Sequence, residues 1–153
     1  MQYPRHVALI PDWNRTWAKE RWKLWIEWHY EWFQRCIELA MYIFEKTEID
    51  VFTLWWLSTE NFKNRTQTEL DYLFWLYKKI TESLYDMMRK YHVNLRIAGD
   101  KVGLPNYLVE FLNEKEFEFK FEDSQKTFIL AVNYWWQDEI LRAIKKLNDS
   151  REE

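Results

Sequence analysis

A chain of 153 residues with 31% charged side chains and a formal net charge of -3 is long enough for one domain with a core, and has no basic excess to draw nucleic acid or an anionic membrane. One cysteine and three histidines exclude a disulfide framework and a His/Cys zinc cluster; no signal peptide and no apolar run of about 18 residues is visible, which predicts a cytoplasmic protein. Glycine is nearly missing, with 2 residues where about 7% is usual, while tryptophan reaches 11.

In chain order, the apolar run at residues 7–10 suits a strand buried on both faces, and Pro11 ends it for want of an N–H. Asp12 then falls at the strand's C-terminal edge, where open α/β sheets bind ligands, and Asp12 or Asn14 could cap a helix whose first N–H groups favour an anion. Residues 17–46 contain no glycine or proline and read as a long amphipathic helix, with Trp22, Trp25, Trp28 and Trp32 as a core-facing aromatic seam. A second strand over 49–57 runs into Ser58-Thr59-Glu60-Asn61, which is either an ordinary helix start or a second polar cluster at a strand end.

A helix over 68–91 puts Leu70, Leu73, Phe74, Tyr77, Ile80, Leu84 and Met87 or Met88 on one face. A third strand over 93–98 closes at Gly99-Asp100, and Pro105 opens a helix to about Asn113. Residues 117–121 alternate Phe with a charged residue, the pattern of a strand. A fourth strand over 127–132, a turn at 134–136 and a closing helix over 138–147 complete the chain. Strands alternating with helices predict an α/β fold: a single domain over 1–147 with a central, mainly parallel sheet and helices on both faces, and a frayed tail over 148–153.

Four segments carry a family resemblance in one order. From His6 to Ala18 the chain resembles His-x-x-x-Ile-x-Asp-Gly-Asn-x-Arg-Trp-Ala, matching at Asp12, Asn14, Trp17 and Ala18. Trp28-His29-Tyr30-Glu31-Trp32 resembles Gly-His-x-x-Gly, Ser58-Thr59-Glu60-Asn61-Phe62 resembles Ser-Thr-Glu-Asn-Trp, and the run from Ala131 to Ile140 resembles Ala-x-x-Tyr-Gly-Gly-Arg-x-Glu-Ile. Gly99-Asp100 with Leu104-Pro105 is a weaker match. These are the motifs of the cis-prenyltransferases, the undecaprenyl diphosphate synthase family, and the 117–121 segment is usually a helix tail there, which leaves its state open.

The resemblance implies an undecaprenyl diphosphate synthase-like fold and an Mg²⁺-dependent transferase that condenses isopentenyl diphosphate with an allylic diphosphate into a polyprenyl diphosphate. By it, Asp12 is the metal-binding and catalytic acid, and Trp13, Asn14, Arg15, Thr16 and Trp17 form the diphosphate loop. Trp25 and Asn64 stand at phosphate-arginine positions, His29 assists at the diphosphate, and Asn61 takes part in proton removal with Ser58, Thr59, Glu60 and Phe62 around it. The two long helices wall an apolar tunnel. The implied partners are the two diphosphates and a second copy, with membrane proximity on the product side and no nucleic acid.

The departures have a pattern. Thr16, Trp25, Asn64 and Gln137 replace arginines, with Arg15, Lys19, Arg21, Lys63 and Arg65 close by in sequence, and Trp13, Trp28, Trp32, Trp135 and Trp136 stand where the family has glycine. A gene that uses UGA for glycine, translated with UGA as tryptophan, would produce that substitution. The family also continues into an Arg-x-Ser motif and a second metal-binding Glu that hold isopentenyl diphosphate, and supplies most of its dimer contact there, so weak isopentenyl diphosphate binding and an impaired or partial enzyme are expected. The alternative is a non-catalytic prenyltransferase-like subunit or lipid-binding module.

Overall fold

The computed structural model describes residues 4–10 and 25–149, with side chains in the first helix from His29 onward. Its elements are β1 (His6–Leu9), α1 (Trp25–Lys46), β2 (Val51–Ser58), α2 (Thr59–Asn64), α3 (Gln67–Tyr91), β3 (Asn94–Ala98), α4 (Asn106–Glu118), β4 (Thr127–Tyr134) and α5 (Trp136–Asp149). The four strands form one sheet in the order β1-β2-β4-β3, and every pairing is parallel. It is an α/β domain with a parallel sheet flanked by helices, because parallel neighbours must be joined by crossovers.

The register sets the layers. His6 pairs with Val51 and Leu9 with Leu54, Val51 pairs with Thr127, and Asn94 pairs with Thr127 from the other side, so alternate positions of all four strands share a face. One face carries Phe52, Leu54 and Trp56, Phe128, Leu130 and Val132, and Leu95, all buried in a single cluster with Phe33, Ala40 and Phe44 of α1 and Phe74, Tyr77 and Leu84 of α3. The other face contributes Ala8, Thr53, Trp55, Ile129 and Ala131 to an apolar cavity of about 330 Å³.

Local signals explain the boundaries. Thr66 begins α3 with a capping box, its hydroxyl accepting from the Glu69 N–H while the Glu69 carboxylate accepts from the Thr66 N–H, and His92 ends it in the left-handed conformation at φ 51°. No helix among the described residues is long and apolar enough to cross a membrane.

Two expectations are corrected. β1 is not buried on both faces: His6 and Ala8 are exposed and Val7 and Leu9 half-buried, because among the described strands β1 is an edge with β2 as its one neighbour. The alternating residues 117–121 form no strand. α4 continues through Glu118, Phe119 caps it with no exposed surface while Phe117 is 84% exposed, and the edge of β3 is already occupied. The Leu95 N–H donates to the Phe119 carbonyl at 2.9 Å and the Ile97 N–H to Glu116 Oε1 at 3.1 Å. The alternation is thus one apolar anchor between solvated neighbours, which periodicity alone cannot tell from a strand.

Candidate functional site

The polar residues the sequence singles out lie where β2 ends. β2 extends past the last paired residue of β1, since Leu9 is level with Leu54 and the strand continues to Ser58. Ser58 has extended backbone, and its Oγ accepts from the Asn61 N–H at 3.1 Å, so it is the N-cap of α2. Thr59 Oγ1 donates to the Asn133 carbonyl at 3.1 Å, which ties the start of α2 to the end of β4. Glu60, Asn61 and Asn64 are exposed, and Phe62 is half-buried against Phe74 at 6.4 Å. The helix-start reading of Ser58 and its place at a strand end therefore both hold.

His29 is 6% exposed on α1, and one of its contacts comes from the end of α2. Arg65, the C-cap of α2, places Nη1 3.2 Å from His29 Nε2. A guanidinium cannot accept, so in this contact Arg65 donates and His29 Nε2 accepts. Asn64, at the position matched to an arginine, is exposed to solvent, and the neighbouring Arg65 brings the cation to the histidine. Arg65 is the residue that motif matching passes over. Its signal is local: a six-residue helix between two caps, Ser58 and Thr66, fixes which residue follows the last turn.

Aromatic rings fill the space between α1 and α3. Trp56 of β2, 8% exposed, has its ring centroid 4.8 Å from that of Trp32 on α1 and 4.8 Å from that of Tyr77 on α3. Burial pushes the Tyr77 hydroxyl well above its ordinary range, a shift opposed by the charge of nearby Arg65. Among the described residues neither the Trp56 indole N–H nor the Tyr77 hydroxyl has a hydrogen-bond partner. Two polar atoms stacked in an apolar seam without partners are a cost that a pure packing role does not require.

At the β4 exit Trp135 Nε1 donates to Gln137 Oε1 at 3.2 Å and Trp136 is 51% exposed. Asp12, Trp13, Asn14, Arg15, Thr16 and Trp17 lie outside the described residues; Trp25 opens α1, with its side chain likewise outside. Among the described residues no three His, Cys, Asp or Glu side chains converge as a metal site.

The structure is thus an α/β domain whose parallel sheet ends β2 in a capped Ser-Thr-Glu-Asn turn, at the edge where open α/β sheets bind ligands, and whose next helix end sets an arginine against a buried histidine. The sequence family described as "Putative undecaprenyl diphosphate synthase" matches residues 10–153. The chain belongs to this family, the cis-prenyltransferases. An isoprenyl transferase from Thermotoga maritima is 34% identical over 148 residues, 95% of this chain and 61% of its own length, and one from Bacillus cereus is 32% identical over 98% of this chain and 57% of its own length. Of solved structures, lavandulyl diphosphate synthase from Lavandula x intermedia in complex with dimethylallyl diphosphate superposes with a TM-score of 0.83 at 30% identity, covering 97% of this chain and 63% of that one. A probable undecaprenyl diphosphate synthase from Campylobacter jejuni gives 0.72 at 27% identity, covering 99% and 64%. The chain thus spans about three fifths of the length of the relatives it matches.

Proposed function

We propose that this chain carries the allylic-diphosphate end of a cytoplasmic cis-prenyltransferase that joins isopentenyl diphosphate to an allylic diphosphate. The observation that carries the reading is the Arg65–His29 contact at the end of the Ser58-capped helix, an arginine converging on a buried histidine. A leaving diphosphate needs donors aimed at its oxygens, and Arg65, able to make paired N–H contacts, takes that role with His29. In the reaction a carbon–carbon bond forms between the two isoprenoid units, the allylic carbon–oxygen bond breaks, and one proton leaves the isopentenyl unit. Asn61, whose amide is too weak a base to keep a proton, positions that unit while a diphosphate oxygen takes the proton. The bound dimethylallyl diphosphate of the lavandulyl diphosphate synthase structure supports an allylic diphosphate as the ligand class.

Magnesium is part of the reading through Asp12. By the family motif Asp12 would hold the ion, which would neutralise the diphosphate charge as a Lewis acid; among the described residues no three His, Cys, Asp or Glu side chains form a second candidate. A second copy would find an apolar surface on α5, where Ile140, Leu141 and Ile144 are exposed.

The test is turnover of labelled isopentenyl diphosphate with an allylic diphosphate, with and without Mg²⁺. Mg²⁺-dependent incorporation is expected. Binding of the allylic diphosphate with no incorporation would support the other reading, a non-catalytic subunit or lipid-binding module.

A further inference from the structure

Three strand ends meet at one residue. Asn133 closes β4 at φ 48°, a left-handed backbone that asparagine tolerates better than other residues with a side chain, and it is 5% exposed. Its carbonyl accepts from Thr59 Oγ1 at 3.1 Å, at the start of α2, and from the Asp100 N–H at 3.3 Å, just past β3. Its side-chain Nδ2 donates to the carbonyls of Asp100 at 3.0 Å and Val102 at 3.3 Å. The approach is close enough to require glycine next door: at Gly99, φ 114°, a Cβ would stand 2.0 Å from the Val132 carbonyl oxygen.

We propose that Asn133 is the positioning residue of the Ser58–Asn61 turn. Its amide locks the β3 exit onto β4, its left-handed backbone turns the peptide carbonyl toward Thr59, and the Thr59 hydroxyl then fixes where α2 begins and so where Asn61 stands. No other uncharged residue supplies both the φ and two donors. Glycine gives the backbone without the amide. Alanine gives neither, and aspartate accepts the φ but opposes two carbonyls with a carboxylate. The catalytic meaning of the turn rests on the reading given under Proposed function, whereas the positioning does not.

The experiment compares Asn133→Gly, Asn133→Asp and Thr59→Val by amide hydrogen exchange, with inorganic pyrophosphate binding measured by calorimetry in Mg²⁺ buffer. The Asn61 amide, bonded to Ser58 Oγ, reports the turn, and the Leu130 amide in β4 reports the sheet. In all three variants exchange at Asn61 rises by about tenfold, the factor that one hydrogen bond's worth of local stability gives, while Leu130 is unchanged. The double variant Thr59→Val/Asn133→Gly exchanges no faster at Asn61 than Thr59→Val alone. Exchange at Asn61 in Asn133→Gly that equals the parent protein would overturn the proposal, since asparagine would then serve only its own φ. Equal acceleration at Asn61 and Leu130 would overturn it too, because the substitution would then loosen the whole sheet rather than the turn. The pyrophosphate arm decides the underlying reading separately: faster exchange with weaker binding joins the turn to the anion site, and faster exchange with unchanged binding leaves the clasp standing and removes the turn from that site.

Discussion

Replacing Trp56 with alanine tests whether the aromatic seam is core or obstruction. Trp56 is 8% exposed between Trp32 and Tyr77, and removing a well-packed tryptophan from a core costs about 3–5 kcal/mol. Part of that should not be lost here. The indole N–H is buried without a hydrogen-bond partner among the described residues, a penalty of about 1–3 kcal/mol that disappears with the ring. The Tyr77 hydroxyl, equally unpartnered among those residues, gains room for a water. The expected destabilisation is therefore about 2 kcal/mol, read as a shift of roughly 1 M in the urea midpoint with an unchanged slope. The space opened lies against Tyr77, whose hydroxyl feels the charge of Arg65, so affinity for an allylic diphosphate with a farnesyl-length tail should rise, while affinity for inorganic pyrophosphate stays level. A loss of about 4 kcal/mol or more together with no gain for the tailed ligand would refute the argument and make Trp56 an ordinary core residue.

The gene gives the sharpest check on the tryptophans: UGA codons at 13, 28, 32, 135 and 136 with UGG at 17 and 55 are expected, and UGG at all five would end the idea. Arg65→Gln should weaken pyrophosphate binding by about ten- to a hundredfold, the range for a charge-assisted hydrogen bond, while Asn64→Ala changes it less than about twofold; calorimetry with the reverse order would return the role to position 64. Asp12→Ala should abolish Mg²⁺-dependent turnover with the melting temperature unchanged, and equal loss of fold and activity would make Asp12 a helix cap. Cys36 is 2% exposed and burial pushes its thiol up to about 12, so it should resist alkylation at pH 8 until urea unfolds the chain. The unfolded thiol ionises near about 8.5 and binds fewer protons than the native one above that, so stability should fall as pH rises from there to about 12; a Cys36→Ala variant with the same alkaline slope would contradict this.

Period and punctuation in the sequence determined the elements. The apolar runs of β2 and β4, the spacing of Leu73, Phe74, Tyr77, Ile80 and Leu84, and Pro105 at the start of α4 are local facts, and each maps onto an element within a few residues. The alternation of strands with helices was enough for a parallel α/β sheet. The helix start at Ser58 was legible too, because a strand ending in residues that cap a helix is a local pattern.

Strand order was not legible, since nothing near β3 says that it skips β2 and pairs with β4. The exposure of β1 followed from that order, and so did the fate of residues 117–121, where Phe119 is buried only because α4 folds back along the β3 edge. The same holds for the site. Arg65 and His29 are 36 residues apart, Thr59 and Asn133 are 74 apart, and each contact exists because packing of α1, α2 and β4 brings the pair together. Motif position favoured Asn64 over its neighbour, but a helix turns about 100° per residue, so one step around the end of α2 separates a side chain in solvent from one against the histidine. Local chemistry chose the residue types at the sheet edge; only the tertiary fold chose which of them touch.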